Sequence, residues 1–558
     1  MSNSLKHVQH LTLRIALLLS VAINFSVNAA SYNIADEISQ QTLSMEGVLS
    51  GFDSQVENQK QAMEAVKSNY LMVIDLLKKK HTEEANTKVT ELIQQDPSQS
   101  VYYNLQALLQ LVNKDQAGAE QSFLKAVELN SKNSQALTGL AKLALDNKQL
   151  DKATSYANQL IAINLDDIKA YQVLADVTLQ QQGIDAVEVL LLDTHSKVTQ
   201  HSETELAIVQ ALGKVYLKKK QPEKFLALAT DLVERNKTKP SALSLLAEAQ
   251  LINKKYSGAE KTLRQIIALQ PADAKHRFML ARLLGQQTNK ENEILALLDK
   301  AAENMDNPAL VLSYKAAVLL KQKHYVQALT IAQQVDKANP AQSIGKALKG
   351  DVFFAQQKYP QALTHYQQAY AITPNIKVLD AILNLLTLQN KTQQSITFLE
   401  KELAKNTDNT AIQFRLAMAY QTTQQNKLSI KHYEAVLTKQ KDHAIALNNL
   451  ASLYSLQKNP KAIELAKHAY NIAPKSGAIA DTYGYILLKQ GDKQKSLNVL
   501  KQAAELDPKL IEIQLHLAEA YIANQEKEPA KTLLQKVLNN KAANQSEQEK
   551  TQKLLADL

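Results

Sequence analysis

Residues 358–374, KYPQALTHYQQAYAITP, crowd one histidine, three tyrosines and two prolines into a single short stretch. An imidazole beside phenols is raw material for general acid–base chemistry. The same residue types also serve as packing parts, so recurrence along the chain decides between the two readings. Other reactive constellations are sparse. The chain has no cysteine, which excludes a thiol nucleophile, a disulfide framework and a Cys-ligated metal. Beyond residue 29 no two of the histidines fall at helical i, i+3 or i, i+4 spacing, and no His-Glu-x-x-His run occurs. GDKQKS at 491–496 lacks the leading glycine and the Gly-Lys pair of a phosphate loop. No catalytic, cofactor-binding or metal-ligating residue is therefore assigned, no cofactor is expected, and the chain reads as a non-enzyme.

The elements that hold these residues emerge by sliding the stretch along the sequence. Ala362, Tyr366, Ala369 and Pro374 stand at offsets 0, 4, 7 and 12. The same frame fits Ala119, Phe123, Ala126 and Ser131, then Ala259, Leu263, Ile266 and Pro271. It fits again at Ala328, Ala332, Val335 and Pro340, and at Ser496, Leu500, Ala503 and Pro508. Twelve residues before each first slot lies another small residue: Ala107, Ala247, Ala316, Gly350 and Gly484. Followed along the chain, that slot recurs from residue 73 to 518, mostly every 34 residues. Offsets of 4 and 7 share one helix face, so small residues there let backbones approach while the aromatic fills the remaining space. A helical pair of this kind cannot bury its apolar face alone, whereas a stack of pairs can. On this frame His365 falls off the packing stripe and is expected to face solvent, and the recurrent tyrosines are expected to be core. Val73, Asn384 and Phe225 occupy small slots and predict looser packing or a register shift in their units.

The stretch ALKGDVFFAQQKYPQALTHYQQAYAITP, with Gly350, Phe353, Ala362, Tyr366, Ala369 and Pro374 in place, resembles the tetratricopeptide repeat family. That resemblance implies an all-α fold, a right-handed superhelical solenoid of about fourteen helix-turn-helix units. It also implies a groove lined by the first helix of each unit, which binds peptides or partner helices. Aligning the slots puts Phe278, Arg282, Phe354, Phe414, Met418 and Asn448 on that face as exposed side chains in a row. Asn448 and Asn449 are placed to hydrogen-bond a peptide backbone. The Lys/Asn carboxylate clamp of some chaperone-binding members has no recognisable counterpart here. A groove sealed by its own side chains, or filled by residues 30–65, is the competing expectation.

The domain reading follows. Lys6 and Arg14 precede the apolar run IALLLSVAINFSV at 15–27, and NAAS follows, so residues 1–29 read as a secretory signal peptide. Its apolar run is shorter than the roughly 20 residues that a membrane span needs, and no later stretch could span. The mature chain is expected to be exported, soluble and periplasmic in a Gram-negative cell. Removing residues 1–29 takes away Lys6 and Arg14 and no acid, which lowers the formal charge from +9 to +7. That is mild for such a length, and no nucleic-acid partner is expected. Residues 30–65 form a pre-repeat or capping segment. Residues 66–540 form the array, with an insertion near 190–205, and 541–558 form a closing polar-faced helix.

Lysines recur where the first helices end: Lys78, Lys79 and Lys80, then Lys218, Lys219 and Lys220, then Lys254 and Lys255. Cations there favour the helix dipole by about 0.3–1 kcal/mol. Aligned on one edge they would also form a basic ridge for an acidic partner such as a uronic polysaccharide. Residues 446–521 resemble the C-terminal units of exported repeat proteins that accompany exosortase (PEP-CTERM) exopolysaccharide systems. Those relatives are lipid-anchored through a cysteine that this chain lacks. The resemblance implies a role in envelope sorting or polysaccharide export, with a protein or peptide as partner.

Overall fold

This computed structural model describes residues 57–558 apart from Thr199, His201, Asn236 and Lys541. The expected signal peptide and residues 30–56 of the expected capping segment lie outside the described residues. The chain is all-α: among the described residues there are twenty-nine helices and no strand. They run as fourteen consecutive leading and trailing pairs, from Glu57–Lys78 with Thr82–Gln95 to Ile511–Ala523 with Lys527–Leu538, followed by Gln545–Ala556. Contacts divide them into two compact units between Val311 and Leu312.

Local chemistry explains the helix boundaries. Side chains of Asp115, Asn133, Asp167, Asp273, Asn409 and Asp492 accept hydrogen bonds from the first turns of their helices, satisfying donors that the helix itself leaves open. Pro240 and Pro360 stand within the first turn, where a missing N–H costs nothing. Most leading helices stop in a tight left-handed turn; Ala274–Leu284 instead ends at Gly285 with φ −60°. Lys254 has φ 57°; its N–H donates to the Leu251 carbonyl, and the Lys255 N–H donates to Gln250. This is the Schellman closure.

The small slots do what their spacing predicts. Ala107, Ala141, Ala247, Ala281 and Ala316, like Ala119, Ala259, Ala362 and Ala369, are fully buried. At two of the glycine slots an aromatic fills the space, and at Gly484 Leu500 does. A Cβ on Gly350 would lie 2.6 Å from the Tyr366 ring, and one on Gly213 would lie 2.7 Å from Phe225. This settles the Phe225 case. Its side chain is buried in the core rather than loosening the unit, because Gly213 leaves room for it. The insertion is absorbed as helix: Glu203–Lys218 has 16 residues against 13 in most leading helices.

Helices pack on their sequence neighbours, and successive leading helices also touch directly. Examples are Ser134–Asp146 with Ile168–Gln182, and Ala444–Leu456 with Gly477–Lys489. Successive trailing helices have no comparably close contact. Within each unit the leading helices therefore form the tighter layer, with one shared face.

Candidate functional site

Side chains that bridge from one leading helix to the next mark that shared face. In unit 57–311, Gln135 donates to the Tyr70 hydroxyl (3.2 Å) and accepts from Asn104 (3.0 Å), so three successive leading helices are joined. His276 Nε2 lies 2.8 Å from the Ser244 hydroxyl. In unit 312–558, Arg415 grips both oxygens of Asp380, at 2.7 and 2.9 Å. His516 Nδ1 lies 2.9 and 3.0 Å from the two oxygens of Asp481, and its ring stacks on Tyr485 at 3.8 Å. Lys489 and Lys550 reach Glu519 at 3.2 and 2.6 Å. Burial works against that carboxylate's charge, but the two lysines outweigh it and hold Glu519 below its ordinary pKa. Asp380–Arg415 and Asp481–His516 are both 35 residues apart. That separation is one repeat plus one residue, the offset at which neighbouring leading helices meet.

The expected groove residues divide between the units. Phe278 and Arg282 lie in unit 57–311, with the guanidinium 5.9 Å from the ring centroid. In unit 312–558, Met418 is exposed and Asn448 is half-buried on the next leading helix. The Asn448 amide donates to Asn449 (3.3 Å), while its own Oδ1 is buried without a partner. Phe354 and Phe414 are not the free anchors expected from the sequence. Phe354 packs on Tyr359 at 5.9 Å, and Phe414 on Tyr433 at 6.0 Å and His443 at 4.7 Å. The apolar side chains that do stand out are Leu388, Ile445 and Leu456, at 54%, 54% and 68% exposure, beside Met418 at 37%. Ile445, Asn448, Ser452 and Leu456 stand at i, i+3, i+7 and i+11, so they share one stripe. That spacing is readable in the sequence, where Phe354 and Phe414 are the more conspicuous apolar residues.

The turn lysines have a conformational explanation. Lys80, Lys220 and Lys254 hold the left-handed position that closes their leading helices, with φ 63°, 58° and 57°. Gln357, Asn390, Gln424 and Gly491 hold it in other pairs, so the position does not require a cation. Lys79 is paired with Asp75 at 2.8 Å, and Lys219 with Asp185 at 2.5 Å and with Glu188. Lys78, Lys218 and Lys255 are exposed near the same turns.

The stretch 358–374 is mainly a packing part. Tyr366 is buried and its hydroxyl donates to Asp351 Oδ1 at 2.6 Å. His365 is not solvated: it is half-buried, stacked on Phe353 at 5.2 Å, with its Nδ1 buried and unpartnered. Burial lowers its pKa. Burial likewise pushes the Asp351 carboxyl up to about 6 from 3.8, against the opposing pull of the Tyr366 hydroxyl. The folded chain then binds this proton more tightly than the unfolded chain. Its contribution to stability is present below about pH 4 and is lost as pH rises through about 6. Asp351→Asn should remove that decline, as read by urea unfolding across pH 4 to 7.

Among the described residues no helix is long and apolar enough to cross a membrane, and no cluster of three or more carboxylates and histidines could hold a metal ion. Sequence profiles of the tetratricopeptide repeat match residues 245–308, 315–375 and 487–555. No curated protein matches the chain. Among solved structures, it is similar to the APC/C hetero-tetramer Cut9-Hcn1 (14% identity, TM-score 0.35, covering 84% of this chain and 98% of that one). It is also similar to yeast Tom70 (15% identity, TM-score 0.36, covering 79% and 99%). Likeness at these values carries no functional inference.

Proposed function

We propose that this chain, which carries tetratricopeptide repeats, is an exported, non-enzymatic scaffold. It holds a partner protein or peptide along the leading-helix face of residues 376–456. The observation that carries this reading is the row of exposed apolar side chains Leu388, Met418, Ile445 and Leu456 on three successive leading helices. Water-exposed apolar side chains in a row are the usual mark of a binding surface, and fully burying one contributes about 1.5–3 kcal/mol. Asp380–Arg415 stands beside this row, and the Asp481–His516–Tyr485 cluster lies on the following leading helices. Fixed polar groups next to apolar anchors would set the register of a bound segment. The unpartnered Asn448 Oδ1 offers an acceptor to a peptide N–H.

Export rests on the basic start, short apolar run and small-residue exit of residues 1–29. A role in envelope or exopolysaccharide assembly rests on the resemblance of residues 446–521. A glycan on the turn lysines has no comparable support, because left-handed turn geometry and ion pairs already account for Lys79, Lys80, Lys219, Lys220 and Lys254.

Met418→Asp with Leu456→Asp should abolish partner recovery from an envelope extract while leaving the helical circular dichroism unchanged. Val326→Asp, on an exposed trailing-helix position, should leave recovery intact. Equal recovery by all three proteins would remove the basis of the proposal.

A further inference from the structure

We propose that the leading-helix face of unit 57–311 is a cationic seat for the chain's own acidic segment, residues 30–56. On helices Glu203–Lys218, Pro240–Ile252 and Ala274–Leu284 this face carries Lys214, Lys218, Lys275 and Arg282 against two carboxylates, Glu248 and Glu203, and Glu203 is itself paired with Lys239 at 3.1 Å. Lys214, Lys218 and Lys275 are exposed. Burial raises the Glu248 carboxyl, and both Lys275 and Lys214 are near enough to act on it. Residues from three successive leading helices therefore converge at one place. An open pocket of about 340 Å³ lies there, lined by the apolar Leu217 and Phe225 with Gln210, Glu248, Lys214 and Lys218 alongside, so that its two cations face one carboxylate. An apolar lining with cations around it selects a segment whose apolar side chains alternate with carboxylates.

Residues 30–56 have that chemistry. They carry Asp36, Glu37, Glu46 and Asp53, with Leu43, Leu49 and Phe52 between them, and no lysine, arginine or histidine. The segment runs directly into the first leading helix, Glu57–Lys78. Its 27 residues reach about 90 Å when extended. The six steps from the first leading helix to Ala274–Leu284, at about 10 Å each, span about 60 Å. Covalent attachment supplies an effective concentration of order mM, so individually weak contacts suffice. A partner approaching this unit would first have to displace the segment. The seat shares no residue with the apolar row at 388–456, so either proposal can fail alone.

The absence of cysteine and the many accessible acids make site-specific cross-linking in the full chain direct. A photo-reactive residue placed at Leu49, and separately at Ile38, is activated, and the linked peptides are mapped by mass spectrometry. The proposal expects links within one molecule to Glu203–Lys218, Pro240–Ile252 or Ala274–Leu284. Those links should fall several-fold at high salt, as exposed ion pairs do. They should also fall in the variant Asp36→Asn, Glu37→Gln, Glu46→Gln, Asp53→Asn, and in Lys214→Glu with Lys275→Glu. Combining Lys214→Glu and Lys275→Glu with Glu46→Lys and Asp53→Lys should restore them, which a misfolded variant could not do. Links only to a second copy, links only to residues 312–558, links indifferent to salt and charge, or no links at all would each overturn the proposal.

Discussion

Arg235→Ala should destabilise helices Glu203–Lys218 and Pro222–Arg235 by about 3–5 kcal/mol, the cost of taking the guanidinium away from a buried carboxylate. The carboxylate at risk is Glu205, only 2% exposed, whose Oε1 meets Arg235 Nη1 at 2.6 Å. His195 stands 3.4 Å from the same oxygen and Asp231 holds the other guanidinium nitrogen at 2.9 Å. The network ties the trailing helix Ile184–Lys197 to the next pair across the insertion. The cost arises from the carboxylate that stays buried without the guanidinium rather than from the bridge itself. Glu205→Leu with Arg235→Leu should therefore recover most of the loss, because the double replacement removes the buried charge and releases only the exposed Asp231. Native-state hydrogen exchange of these helices reads the effect. A double variant as unstable as Arg235→Ala would show that the side chains contribute by packing alone.

The second large effect is expected at Tyr366. Truncation to alanine removes a buried ring and strands Asp351, for a loss of about 3–5 kcal/mol. The informative comparison is with Gly350. In the intact chain Gly350→Ala places a methyl 2.6 Å from the ring, and overpacking of this kind costs about 1–3 kcal/mol. In the Tyr366→Ala background that methyl enters vacated space, and alanine is the better helix former by about 0.8–1 kcal/mol. The same substitution should thus change sign between the two backgrounds. Urea unfolding with exchange of Ile344–Ala355 measures this coupling directly. Additive effects would mean that the small slot does not exist to admit the aromatic.

Both predictions turn on features of unequal legibility in the sequence. The pairs and their small slots were readable because a residue with little or no side chain is demanded wherever two helix backbones approach. Ala362 and Ala369 meet that demand at fixed spacing. The glycine and aromatic partnership was readable only in part: Phe225 looked like a fault in the frame until Gly213 was seen opposite it. His365 was misplaced because a helix wheel drawn for one trailing helix omits Phe353 on the leading helix beside it. The cross-repeat pairs, Asp380–Arg415 and Asp481–His516, stayed hidden for a related reason. Their 35-residue separation matches no motif within a helix and acquires meaning only when neighbouring repeats are known to meet one residue out of register. The turn lysines misled in the opposite direction. Their regularity suggested a charged ridge, yet what recurs is a left-handed backbone that lysine, asparagine, glutamine and glycine all occupy.

The candidate surface was legible to a similar degree. The choice of the leading-helix face follows from the repeat. Which of its side chains remain open to a partner depends on aromatic packing between helices, which is why Phe414 is engaged with Tyr433 and His443 while Leu456 is not covered.

The most direct test of the central claim is amide hydrogen exchange of the full chain with and without a partner recovered from the envelope. The account predicts new protection in Ile376–Leu388, Thr410–Thr422 and Ala444–Leu456, with the trailing helices Thr392–Lys405 and Asn426–Lys439 unchanged. Protection confined to those trailing helices, or to the turns at Lys80, Lys220 and Lys254, would contradict it.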